Sequence, residues 1–142
     1  MPRLLGLDVG ERRLGIAVSD PDGVLASPVA VLERRGTLLD FRAIADLAEA
    51  HEVARIIVGL PISLNGSIGP QAQRVLAFIE ELRPITPLPI ETWDERYTSV
   101  AAEDLLRQAG LSPAERRQRI DSAAAAVLLQ DYIDSHRAKA PP

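Results

Sequence analysis

The chain contains no cysteine in its 142 residues, which excludes disulfide frameworks, zinc–thiolate sites and thiol catalysis. It has no apolar run that approaches a membrane span, and its opening "MPRLLGLDVG" is too short in apolar residues for a signal peptide. A cytoplasmic protein with no membrane contact is the expectation. Internal repeats, low-complexity stretches and linkers are also missing. Nor is there an excess of positive charge: the net charge of −4 argues against a general nucleic-acid coating protein but leaves room for a local basic patch. What remains is 46% hydrophobic and 25% charged, an ordinary globular composition. The length suits a single domain over residues 1–142 with a two-sided core, ending in a frayed tail from about 136.

Residues 3–9 and 14–19 read as two strands joined by the tight segment "GERR", with Gly10 supplying the turn. "PDG" at 21–23 signals a turn, and "VLASPVAVLE" supplies a third strand of an antiparallel meander. The period then changes. Phe41, Ile44, Ala45 and Ala48 fall at helical spacing, with Thr37-x-x-Asp40 as the N-terminal cap. "ARIIVGLP" is a buried strand, Pro70 opens a second helix lined by Val75, Phe78, Ile79 and Leu82, and "LPIETW" is the fifth strand. A third helix carries Ala102, Leu105, Leu106 and Ala109 and stops at Gly110. Ser112-Pro113 then starts another, and "IDSAAAAVLLQDYID" is strongly helical. The order βββ-α-β-α-β-α-α predicts an α/β fold: a five-stranded mixed sheet with helices on both faces.

One carboxylate, Asp8, interrupts the apolar first strand. Leu5, Leu7 and Val9 face one way and Leu4, Gly6 and Asp8 the other, with Gly6 leaving space beside the acid. Asp121 shares a helix face with Ala124, Ala125, Leu128 and Tyr132, and lies in the first turn if that helix begins near Ile120. Glu95 ends the fifth strand, where site residues gather in sheets with parallel connections. Each acid alone has an ordinary structural reading: a turn acceptor, a surface ion pair, a helix cap. Together they are two core-directed acids and a third at a strand mouth. Like charges cannot converge without a cation, and hard oxygen donors point to Mg2+ or Mn2+.

The arginines cluster as Arg12–Arg13, Arg34–Arg35 and Arg116, Arg117 and Arg119. Any one such pair reads as solvated surface. Phe78, Trp93 and Tyr132 read as core.

A strand followed by Asp-x-Gly resembles both the actin-like ATPase and sugar-kinase fold and the ribonuclease-H-like nucleases. The ATPases close two such domains around nucleotide, and 142 residues build one, so the nuclease side is expected. The resemblance goes further: "LGLDVGERRLGIAVSDPDG", "IIVGLPISLNGSIG", "WDERYTS" and "RIDSAAAAVLLQDYI", in this order, resemble the YqgF family, also called RuvX. They span residues 4 to 133. Tyr97 and Ser99 stand where the family commonly has an aliphatic residue and a second threonine, and Arg replaces a frequent Lys before Ile120.

The resemblance implies a ribonuclease-H-like fold with Asp8, Glu95 and Asp121 as catalytic, metal-binding acids. Asp94 takes the opposite strand face and reads as structural. Arg12, Arg13, Arg96, Arg116, Arg117 and Arg119 would face the phosphate backbone, and Asn65 with Gly66 would line the cleft. The expected function is metal-dependent hydrolysis of phosphodiesters, in 5′-end processing of pre-16S ribosomal RNA. The alternatives are a Holliday junction resolvase acting on branched DNA, for which two active sites imply a homodimer, and a non-catalytic RNA-binding factor. A phosphate-binding hydrolase of the ATPase type, working as an oligomer, is a further class, which the length disfavours.

Overall fold

The apolar residues of the first hairpin build the centre of a sheet. β1 (Leu4–Val9) pairs antiparallel with β2 (Arg13–Ser19), placing Gly6 opposite Ala17 and Asp8 opposite Gly15. β3 (Ala26–Glu33) extends the meander along the far side of β2. The computed structural model describes residues 3–63, 65–95, 110 and 112–138, with the backbone alone at 113–122, 137 and 138. After the meander come α1 (Thr37–Ala50), β4 (Arg55–Leu60), α2 (Pro70–Leu82), β5 (Ile90–Asp94) and α3 (Pro113–Ala138). The strand order is β3-β2-β1-β4-β5, with β4 parallel to both β1 and β5. This is the expected mixed sheet of a ribonuclease-H-like fold. Among the described residues no helix is long and apolar enough to cross a membrane.

The two faces of the sheet are covered differently. Leu5, Leu7, Leu14, Ile16, Ile56, Val58 and Leu60 point to one side and pack on Phe41 and Ile44 of α1 and Val75, Phe78 and Ile79 of α2. Leu4, Ala17 and Ile57 point to the other side, under Ala125, Leu128, Leu129, Tyr132 and Ile133 of α3. Side-chain alternation along each strand therefore assigns Gly6, Asp8, Gly59 and Glu95 to the α3 side and Val9 and Asp94 to the other.

Several local expectations are corrected. Thr37 does not cap α1: the N-cap is Gly36, at φ 132°, and makes no side-chain cap bond. Instead the Asp40 carboxylate reaches back to accept the Arg35 backbone N–H at 2.9 Å, outside the helix. Gly10 does not use positive φ. It is needed for room, since a Cβ there would stand 2.7 Å from the Arg13 carbonyl that its own N–H bonds at 2.9 Å. α3 begins at Pro113, as Ser112-Pro113 signals, and not near Ile120, so Asp121 lies well past the first turn, beyond the reach of the helix-terminal charge. α3 runs to Ala138, and near its end the His136 ring stacks on Tyr132 at 3.9 Å with its Nδ1 2.8 Å from the Tyr132 carbonyl. The helix expected over 102–109 lies outside the described residues.

Candidate active site

β1 runs apolar and buried from Leu4 to Leu7 and opens to half-burial at Asp8 and Val9. Asp8 thus sits where the strand leaves the core, at the carboxyl end of the parallel strands. Glu95 stands at the same end: it directly follows β5, and its N–H continues the ladder to the Leu60 carbonyl at 3.2 Å. The Glu95 carboxyl hydrogen-bonds Asp8.

Gly59, on β4 between these strands, makes that contact possible. A Cβ at Gly59 would run into Glu95 Oε2 and stand 3.0 Å from both Glu95 Cδ and Leu128 Cδ2. The missing side chain is the space the Glu95 carboxylate occupies. Sequence reasoning passes over Gly59, although a glycine inside the strand "RIIVGL" is a signal of close approach. It credits Gly6 with making room beside Asp8. The space over Gly6 is instead filled by α3: a Cβ there would lie 2.9 Å from Leu129 Cβ and 3.0 Å from the Ala125 carbonyl.

Electrostatics follow from this packing. Burial, then the neighbouring Asp8 charge and the hydrogen bond to it, then Asp94, push the Glu95 pKa up to about 8. At neutral pH two carboxyls in contact share a proton unless a cation replaces it. Among the described residues no set of three potential metal-ligating side chains converges; Asp8 and Glu95 meet as a pair. Asp121 stands one turn before Ala125, the residue over Gly6, and its side chain lies outside the described residues. α3 crosses β5 and β4 with Tyr132 at Glu91 and Leu128 at Gly59, so successive turns towards its N-terminus step towards the end that holds Asp8 and Glu95.

Of the arginines expected at the cleft, Arg12 in the β1–β2 connection and Arg13 at the start of β2 are exposed, at the same end of the sheet. Arg13 shares the sheet face of Gly15 and therefore of Asp8. Arg96 lies outside the described residues, as do the side chains of Arg116, Arg117 and Arg119 on α3. Asn65 is exposed in the loop after β4, and its Oδ1 accepts the Ser67 N–H at 3.0 Å, bracing a turn in which Gly66 has φ 87°. Arg34 is not a solvated residue. Its Nη1 donates to the Gly10 carbonyl at 3.1 Å, its Nε lies 3.7 Å from Asp40 Oδ2, and its guanidinium lies 5.2 Å from the Phe78 ring centre.

Phe78 and Tyr132 are buried as expected. Trp93 is half-buried, with its indole N–H donating to Asp131 at 2.8 Å.

Comparison with known proteins places the chain in a family. The profile of the family RuvX, described as Holliday junction resolvase, matches residues 2–135. A protein of Roseiflexus sp. is 45% identical over 135 residues, covering 95% of this chain and 96% of that one. One from Desulforamulus reducens is 46% identical over 133 residues, covering 94% and 97%. Both carry the description "Putative pre-16S rRNA nuclease". Among solved structures, T. thermophilus RuvC in complex with Holliday junction substrate superposes with a TM-score of 0.62 at 15% identity, over 99% of each chain. Fowlpox virus resolvase in complex with Holliday junction DNA reaches 0.60 at 12% identity, over 94% of this chain and 98% of its own. At these identities the likeness to the solved structures is one of fold.

Proposed function

The chain belongs to the RuvX family, and from that premise we propose that it is a divalent-metal-dependent endonuclease that hydrolyses phosphodiester bonds in the 5′-end processing of pre-16S ribosomal RNA in the cytoplasm. The observation that carries the reading is the contact between Asp8 and Glu95 across the bare backbone of Gly59. Two touching carboxyls on a sheet's open end serve no packing purpose, and burying them together is costly.

The donor set fits a hard divalent cation: all-oxygen ligands, no thiol in the chain, and a pair that holds a proton where a cation would compensate the charge. Asp8 and Glu95 would hold Mg2+ or Mn2+, with Asp121 as the third acid brought by α3. When bound, such ions supply Lewis acidity to the phosphodiester and favour ionisation of an attacking water.

The chain's own residues do the rest. Gly59 lets Glu95 reach Asp8, and Leu128 of α3 closes the space behind the carboxylate. Arg12 and Arg13 flank the acids with exposed guanidinium groups that match phosphate oxygens two at a time. Arg96, Arg116, Arg117 and Arg119 belong to the same proposed phosphate-facing set, and Asn65 acts through the loop that it braces.

A second reading, cleavage of branched DNA, is favoured by the family's description and by the fold shared with the resolvases. It requires two active sites on one junction and therefore a homodimer.

The test is metal-dependent cutting by wild type and Asp8→Asn, on a 16S-precursor 5′ RNA and a four-way DNA junction. Wild type should cut the RNA with Mg2+ or Mn2+, and the variant should lose at least about a hundredfold in rate while keeping its fold. Preference for the junction would select the second reading. Binding of RNA with no cutting of either substrate would overturn both in favour of a non-catalytic RNA-binding factor.

A further inference from the structure

The topology gathers more positive charge at the site's end of the sheet than the expected arginines alone. β1 and β3 both run towards this end, β4 delivers the chain to it, and α2 starts from it. Arg34, just past β3, and Arg74, in the second turn of α2, therefore meet beside the end of β1 although forty residues separate them in sequence. Between them lies a pocket of about 40 Å³. Val9 and Val75 floor it, and Gly10, Glu11, Gln71 and the two arginines rim it. By the measure of one water-sized group per ~10–15 Å³, it has room for about three such groups. That suits the outward oxygens of one phosphate.

We propose that this pocket is a second phosphate subsite, holding a phosphate of the nucleic-acid strand other than the one being cut; the proposal rests on the nuclease reading above. Val9 follows Asp8 directly and points to the opposite face of β1. A strand bound over the end of β1 would thus present one phosphate to the acids on the α3 side and another to this pocket on the α1/α2 side. Arg34 is set in advance: the Gly10 carbonyl, Asp40 and the Phe78 ring hold its guanidinium against the end of β1. A guanidinium carries five N–H donors, more than these contacts use. Preorganised donors bind without the ordering cost of a free side chain.

Glu11 is the acid on the rim, and it rests 3.8 Å from Arg74. Both side chains are largely exposed, and such a pair contributes little. Its carboxylate is a weak occupant of a place a phosphate fills better, so Glu11 acts as a competitor that the strand displaces.

The test measures binding of a labelled single-stranded RNA in the Asp8→Asn background across a salt series. Removing one phosphate-binding charge should flatten the slope of log K against log [salt] by about 0.7. Arg74→Gln should do so, Arg74→Lys should keep the slope, and Glu11→Gln should tighten binding. Arg83→Gln, at the far end of α2 beside Glu80, is the control and should change nothing. A slope unchanged in Arg74→Gln would overturn the subsite even where wild type cuts RNA. An Arg74-dependent slope in a protein that cuts nothing would retain the subsite and sink the nuclease reading. Arg74-dependent binding of inorganic phosphate with an unchanged RNA slope would make this a site for free phosphate and overturn the strand reading.

Discussion

The two faces of the sheet are built from different sizes of residue, and the difference separates stability from chemistry. The face under α1 and α2 carries Leu5, Leu7, Ile16, Ile56 and Val58, whose bulk forms a continuous apolar layer. The face under α3 mixes Leu4 and Ile57 with Gly6, Ala17 and Gly59, and at the two glycines it is met by Ala125, Leu128 and Leu129 of the helix. The missing side chain at Gly6 lets α3 come down until the Ala125 carbonyl and Leu129 Cβ lie over the strand. Close approach is what puts a helix within reach of acids on the strand ends. Bulk on the first face stores packing energy, and its interruption at Gly6 and Gly59 on the second makes room for a site.

Truncation on the bulky face should give the largest loss of stability. Ile56→Ala removes a fully buried side chain and should cost about 2–5 kcal/mol. Below its lowered melting temperature the variant should cut as wild type does; reduced cutting by folded variant would show that the two faces are not independent. Enlarging the small face should do the reverse. Gly59→Ala places a methyl against the Glu95 carboxylate and Leu128, costing about 1–3 kcal/mol. Cutting should fall far more than the melting temperature suggests, and normal activity in this variant would show that Glu95 can work from elsewhere.

The smallest effect is a pH dependence confined to the α3 face. Burial and Asp8 raise the pKa of Glu95 from 4.5 to about 8, so the folded state holds a proton that the unfolded chain has released. The stabilisation is complete below about pH 4.5 and is lost as pH rises through 8. Metal-free protein should therefore weaken over that window, by on the order of 1–2 kcal/mol once partial exposure is allowed for. Urea titrations at pH 5 and pH 8 measure it. Asp8→Asn should shrink the difference, and Mg2+ at pH 8 should restore stability; a metal-free protein as stable at pH 8 as at pH 5 would contradict the raised pKa.

Much of this is legible in the sequence because it depends on neighbours along the chain. Alternation places Asp94 and Glu95 on opposite faces, and helical spacing finds Ile44, Val75 and Phe78. Four ordered motifs point to the family. The errors come where a distant partner decides. Arg34 reads as half of a solvated pair because Gly10, Asp40 and Phe78 reach it only in the fold. Gly6 and Gly59 are both strand glycines, and nothing local tells which one is covered by a helix and which admits a carboxylate. The helix start at Ser112-Pro113 is legible, but that the helix runs unbroken through Asp121, away from the terminal dipole, is not.

The sequence by itself determined the element types, the two-sided core and the identity of Asp8 and Glu95 as candidates, since periodicity and residue chemistry are properties of short segments. Only the tertiary structure decided that these acids touch, that Gly59 is what lets them, and that Arg34 and Arg74 share a pocket. Those facts depend on which strands become neighbours and how closely α3 packs, which is settled by burying the whole apolar surface at once.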